Sequence, residues 1–345
     1  MQIVSGEPQA GFAAAEAAAL GRVFAGWGWE SAVHVTGLEG KPEGPPEIAA
    51  DDLLIYHFHN VPPMEELPEH AGGRTVVVLH QLTAPLLVQI CEPLTPRLEQ
   101  AWEQLRKLAG SCELAIGHSG AACGWLERLG FGRVRRLPFL MDEELSASRP
   151  DAVTQKMLEG SGPLLLFAGD VVESANLTDL IKTVWYCRNF GEAGTRLAIA
   201  GAVNLCPAYF AWQRDLVAER DMGEVVTFLG AVGPEQLRAC LEAADIYVQF
   251  SGADWTGAGL LAAMRAGVPA IAFAEGAAAE VLGDAGVLLS TTIHSAAADE
   301  IQRLAKDAEW RGRVVECQNR RLELLSEAAI AFQLKTLLGR FLLYK

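Results

Sequence analysis

Short apolar runs alternate with longer stretches of helical periodicity along most of the chain. "DLLIYHF" (52–58), "RTVVVLH" (74–80) and "PLLLFAGD" (163–170) are too short for helices and lack a polar face, so they read as strands buried on both sides. "SAVHVTG", "CELAIGHS" (112–119) and "VRRLPFL" also read as strands. Between them lie "AAAEAAALGRVFAGWG" (13–28), a strong helix former stopped by glycine, and the helical patterns "PRLEQAWEQLRKLAG" (96–110) and "GAACGWLERLGF" (120–131). The polar, mixed segment "EELSASRPDAVTQKMLEGSG" (143–162) reads as a linker. The pattern then restarts: "RLAIAGA", "VVTFLGAV", "DIYVQFS" and "PAIAFAEG" alternate with helical "LTDLIKTVWYCRNF", "AYFAWQRDLVAERDMG" and "PEQLRACLEAA". Alternation of this kind predicts an α/β protein with parallel, doubly wound sheets.

The restart divides the chain into a Rossmann-like domain over 1–145, a linker over 146–162, a second Rossmann-like domain over 163–322 and a C-terminal helix over 323–345. A length of 345 residues suits two domains. A cleft between the halves, beyond the carboxyl ends of the strands, is the expected ligand site. The last stretch, "AIAFQLKTLLGRFLLYK", is amphipathic and interrupted by Lys335 and Arg340, so it reads as a helix docked back on the first domain rather than a membrane anchor. No apolar run reaches the length of a membrane span, and "MQIVSGEPQA" is no signal peptide.

The net charge of −15 argues against nucleic acid and anionic lipid as partners. The one basic cluster, Arg133, Arg135 and Arg136, reads as a solvated strand edge. Seven scattered cysteines without a C-x-x-C pair fit reduced thiols in a cytoplasmic protein. His57 and His59 share a strand face but lack an evident third ligand, so no metal site is expected. There is no G-x-S-x-G, no P-loop, and "GAGLLAAMRAG" lacks the remaining parts of a dinucleotide motif.

Several segments, in order, resemble one family. "DLLIYHFHN", "VVVLHQLTAP", "LAIGHSGAACGWLERLGF" and "RLPFLMD" look like the N-terminal motifs of the GT-B glycosyltransferases of family 4 (glycosyl transferases group 1). "LLFAGDVVESANLTDLI" (165–181) is similar to its glycine–arginine–lysine loop segment, and "VVTFLGAVGPEQLRACLEAADIYVQFS" and "AAMRAGVPAIAFAEGAAAEVLGDAGVLL" (262–289) to the segments that follow. The resemblance covers roughly residues 10 to 325. It implies a GT-B architecture and retaining transfer from a nucleotide-sugar donor, with no metal and no other cofactor required. The acceptor would be a glycan or a lipid-linked one, as in polysaccharide assembly.

Such a transfer needs cations and backbone N–H groups to stabilise charge on the departing diphosphate. The resemblance puts the family's Arg and Lys at Asp170 and Ala175, and its two glutamates, eight apart, at Asp254 and Ala262. Three of the four signature positions thus carry residues that cannot do the same work, and Asp170 reverses the sign. The nearest downstream cation, Lys182, reads as a surface helix lysine. Asp254 is either a sugar ligand or an ordinary loop cap. Gly257 and Gly259 leave the backbone at Ala258, Gly259 and Leu260 open to a phosphate. Gly169 belongs to the same donor-side set, Glu280 matches a helix-start carboxylate, and Gly11 of "PQAGF" is the candidate for a phosphate-covering loop. His80 is either the family's histidine near the reacting centre or a histidine packed at a strand end. The expectation is therefore a glycosyltransferase of weak activity, or alternatively a non-catalytic GT-B protein that binds or scaffolds an active transferase.

Overall fold

A computed structural model describes residues 1–5, 11–36, 52–60, 74–83, 95–141, 148–290 and 293–339. They fall into two compact units, one built from the chain up to residue 142 together with the segment from 325 onward, the other from residues 143–324.

The first unit is a six-stranded parallel sheet: β1 (Gln2–Ser5), β2 (Val33–Thr36), β3 (Leu53–Phe58), β4 (Arg74–Leu79), β5 (Leu114–Gly117) and β6 (Val134–Arg136), in the order β2-β1-β3-β4-β5-β6. β3 and β4 are buried along all but their first residues, as their unbroken apolar runs require. Helices α1 (Gly11–Gly26), α2 (Thr95–Ala109) and α3 (Gly120–Arg128) connect and cover the strands. Ser119 caps α3 by accepting from the Ala122 N–H at 3.3 Å. A Cβ at Gly117 would sit 2.8 Å from the Cys123 backbone nitrogen, so the close seat of α3 on β5 depends on that glycine. The position of β1 inside the sheet was not expected; four residues, "QIVS", are too few to show a period.

The second unit is also parallel: β7 (Leu164–Ala168), β8 (Arg196–Ala200), β9 (Val226–Gly230), β10 (Ile246–Gln249), β11 (Ala270–Phe273) and β12 (Val287–Leu289), ordered β12-β11-β10-β7-β8-β9. Its helices are α4 (Ala152–Leu158), α5 (Leu177–Phe190), α6 (Pro207–Glu219), α7 (Pro234–Ala243), α8 (Ala258–Arg265), α9 (Ala278–Leu282), α10 (His294–Lys306) and α11 (Ala308–Leu324). α4 lies within the segment read as a linker. It is capped by Asp151, which accepts from the Thr154 N–H at 2.7 Å, and it buries Leu158.

α12 (Glu327–Leu337) belongs to the first unit, where Ile330, Leu334 and Leu338 pack with Leu20, Phe24, Ile55, Val76, Val78 and Ile116. Arg133 donates to the Leu337 carbonyl at the end of that helix, 3.5 Å away. Cys112, Cys123, Cys187, Cys240 and Cys317 are free thiols, but Cys206 is disulfide-bonded, which corrects the expectation of reduced thiols throughout. Among the described residues no helix is long and apolar enough to cross a membrane.

Candidate functional site

β7 and β10 are neighbours at the middle of the second sheet, paired Leu165 with Ile246 and Leu166 with Tyr247. From β7 the chain runs to β8 on one side; from β10 it runs to β11 on the other. The two loops therefore part at the carboxyl edge, which is where open parallel sheets form a ligand crevice. The first loop holds Gly169, Asp170 and a 3₁₀ turn over Glu173–Ala175, and enters α5 through Asn176 in a left-handed conformation (φ 55°). The second runs from Phe250 to Gly257 and enters α8. They are stitched together: Ser251 Oγ donates to the Ser174 carbonyl at 2.9 Å and the Tyr247 hydroxyl to the Ala168 carbonyl at 3.2 Å.

Asp254 is held from four directions. Oδ1 accepts from Thr256 N (3.0 Å), Thr256 Oγ1 (3.1 Å) and Gly257 N (3.0 Å), and Oδ2 from Gln249 Nε2 (3.0 Å). This is an Asx-type loop closure, the cap alternative of the sequence reading. Gly257 takes φ +68° at the helix entry, and a Cβ there would meet Val281 Cγ2 at 2.5 Å. A Cβ on Gly259 would collide with the Tyr247 hydroxyl. Ala258 N donates to Thr256 Oγ1 at 3.2 Å; the N–H groups of Gly259 and Leu260, in the first turn, have no carbonyl a turn back to bond to. Ala262 and Ala175 are both buried, at 3% and 5% exposure, so neither presents a side chain to a ligand.

Asp170 is half-buried beside β8, and burial pushes its carboxyl up to about 7, only partly offset by a backbone hydrogen bond from Ala202. Glu280 lies in the first turn of α9, and the turn ahead of it docks on the second loop through Ala277 N to the Asp254 carbonyl, 2.7 Å. The second unit thus brings Gly169, Asp170, Ala175, Asp254 and the 257–260 backbone to one sheet edge. Lys182 sits two turns into α5.

Gly11 and His80 belong to the first unit. Gly11 opens α1, where no described atom lies within 4 Å of a Cβ placed on it, and the rest of the proposed loop before it lies outside the described residues. His80 follows β4 and is 1% exposed. His57 Nδ1 lies 2.9 Å from His80 Nε2, and His57 Nε2 lies 3.0 Å from Gln2 Oε1. On the other side of the His80 ring are Glu16 and His118, with Glu16 Oε2 3.6 Å from His80 Nδ1 and 3.2 Å from His118 Nε2. Burial and the neighbouring imidazoles lower the His80 pKa well below its usual value, and burial lowers His57 to about 3. His59 is outside this group; burial lowers it to about 4.

Sequence reasoning did not single out Glu16, Gln249 or His118. A signal existed for His118: "VVVLH" and "LAIGH" are both apolar runs ending in histidine. Pairing Leu79 with Gly117 sets the two histidines side by side.

Two parallel doubly wound units, with the loops of the second gathered at its switch point, define the GT-B glycosyltransferase fold, and solved structures agree. HepE of Anabaena, determined with UDP and glucose, superposes with a TM-score of 0.71 at 14% identity, covering 98% of each chain. A sucrose-phosphate synthase of Thermosynechococcus elongatus gives 0.67 at 21% identity, over 85% of this chain and 74% of its own. Residues 149–320 match the family model described as glycosyl transferases group 1. No curated protein matches the chain by sequence.

Proposed function

We propose that this protein binds a nucleoside-diphosphate sugar at the switch point of its second unit and transfers the sugar, with retention, slowly. The observation that carries the reading is the pairing of the 169–176 loop with the open first turn of α8, where the N–H groups of Gly259 and Leu260 suit a phosphate. HepE, of the same fold, was determined with UDP-glucose, which makes UDP the first nucleotide to try. Slowness follows from Asp170: a carboxyl stands where a diphosphate needs a cation, and loss of one such group costs about two orders of magnitude in rate. No metal is needed for this transfer, since backbone dipoles would carry the charge. The acceptor is a glycan or a lipid-linked one.

Asp254 favours a second reading. Its carboxylate accepts four hydrogen bonds from Thr256, Gly257 and Gln249, which ties it to the loop and the strand rather than to donor hydroxyls. A non-catalytic binding or scaffold partner of an active transferase would look the same. Calorimetry with UDP, GDP, ADP and their glucose conjugates, followed by a donor-hydrolysis assay, tests both readings. Micromolar binding with measurable hydrolysis supports the transferase; micromolar binding without hydrolysis supports the partner protein. Absence of heat and of any thermal shift for every nucleotide would sink the transferase reading. Asp170→Arg should tighten nucleotide binding about tenfold or more, by replacing repulsion with a charge-assisted bond.

A further inference from the structure

A second group of ionisable side chains, around Glu16, lies wholly within the first unit. Glu16 is 0% exposed, His80 1% and His118 4%. Glu16 Oε2, His80 Nδ1 and His118 Nε2 lie within 4.8 Å of one another. Neither Glu16 Oε2 nor His80 Nδ1 makes a hydrogen bond of acceptable geometry. Among the described residues no lysine or arginine pairs with Glu16; its ionic neighbours are the two histidines. A buried carboxylate without a countercharge is costly.

The outer partners decide which ring nitrogens are bare. His118 Nδ1 faces the Leu137 carbonyl at 3.0 Å, so it carries the proton and Nε2 of the neutral ring carries a lone pair. The Gln2 amide nitrogen donates to the Ala17 carbonyl at 2.8 Å, which turns Gln2 Oε1 toward His57 Nε2. His57 Nε2 is therefore the donor, His57 Nδ1 the acceptor, and His80 Nε2 the donor to it. His80 Nδ1 is left with a lone pair aimed at Glu16. Two imidazole lone pairs and one carboxylate oxygen then converge, which is repulsive unless a cation lies between them.

We propose that Glu16, His80 and His118 hold a divalent transition-metal ion, with Zn²⁺ the best fit, as a structural centre of the first unit. Donors bound to tetrahedral zinc sit ~3.3 Å apart, from bonds of about 2.0–2.2 Å; Glu16 Oε2 lies 3.2 and 3.6 Å from the two ring nitrogens, which lie within 4.8 Å of each other. The outer contacts are those of metal-bound groups. Each histidine gives its far N–H to a fixed acceptor, and Glu16 Oε1 accepts from the Leu140 N–H at 2.6 Å. The donors come from α1 and from the ends of two paired strands, so their placement is rigid. A small, otherwise apolar cavity adjoins Glu16 and His118.

Elemental analysis of the purified chain, before and after chelator treatment, tests the centre, with Zn²⁺ and Co²⁺ as probes. About one equivalent of metal per chain is expected. Readdition of Zn²⁺ to stripped protein should raise the Tm by about 5 °C. Co²⁺-loaded protein should show four-coordinate visible absorption without a thiolate charge-transfer band, which separates this centre from ions caught by the free cysteines. Glu16→Gln and His118→Ala should each abolish the Zn²⁺-dependent shift, whereas His294→Ala, in the second unit, should not. If the variants fail to fold, the wild-type cobalt spectrum decides. No bound metal together with a Tm indifferent to Zn²⁺, or a thiolate band with Co²⁺, would overturn the proposal and leave a protonated histidine–glutamate pair. Nucleotide binding at the second unit is read separately and does not bear on this result.

Discussion

Both units place chemistry at the carboxyl ends of parallel strands, yet they treat charge in opposite ways. In the second unit the switch-point loops are held by backbone and buried small side chains: Ala175 and Ala262 are buried methyls, Asp170 is half-buried, and Asp254 is bonded to Thr256, Gly257 and Gln249. In the first unit four ionisable groups, Glu16, His57, His80 and His118, are packed into a site closed to water. Backbone geometry at this switch point is fixed by the sheet and by glycines such as Gly257 and Gly259, not by ionisable side chains. A buried polar cluster persists only while every member is compensated. Side-chain changes at the second site can leave the fold intact; the first cannot lose one member without cost to the fold.

That contrast can be broken by substitution. The largest effect is expected for Glu16→Ala, which strands the two imidazoles and the Leu140 N–H; urea denaturation should show a loss of about 3–5 kcal/mol. An equally large loss at Asp254 would erase the distinction. Gly259→Val comes next, costing about 2–3 kcal/mol because the new side chain meets the Tyr247 hydroxyl and the Ala168 carbonyl; calorimetric Tm measurement checks it. Asp170→Asn should act in the opposite sense. The folded carboxyl titrates at about 7 and the unfolded one in the ordinary range near 3.8, so the folded state binds the extra proton between these values and wild-type stability falls as pH rises through that window. The variant should therefore be more stable than wild type by about 2 kcal/mol at pH 8, with the advantage gone near pH 4. The smallest effect is expected for Asp254→Ala, about 1 kcal/mol from a lost loop closure. Its nucleotide affinity should be unchanged, and a tenfold weakening would show that the carboxylate does reach the ligand.

The sheets were legible because strands buried on both faces carry unbroken apolar runs, as in "LLIYHF" and "LLLFA". β1 and α4 escaped, being four and seven residues long and set in polar or mixed surroundings. The two loops at the switch point were placed by the strand pattern and by their glycines. The engagement of Asp254 was not, because its fourth partner, Gln249, is one polar residue inside an apolar strand whose direction only the fold reveals. The cluster of the first unit was the least legible of all. Its members lie at 16, 57, 80 and 118, and only strand register and the seat of α1 unite them.

The return of α12 to the first unit makes that unit discontinuous in sequence. Ile330, Leu334 and Leu338 emerge from the ribosome only after the whole of the second unit, yet they complete the apolar surface of Leu20, Ile55 and Val78. During vectorial synthesis the second unit, whose described residues all lie between 148 and 324, can close first, while the first waits with an open face. The order of assembly is thus the reverse of the order of translation, and the half written first is the half finished last.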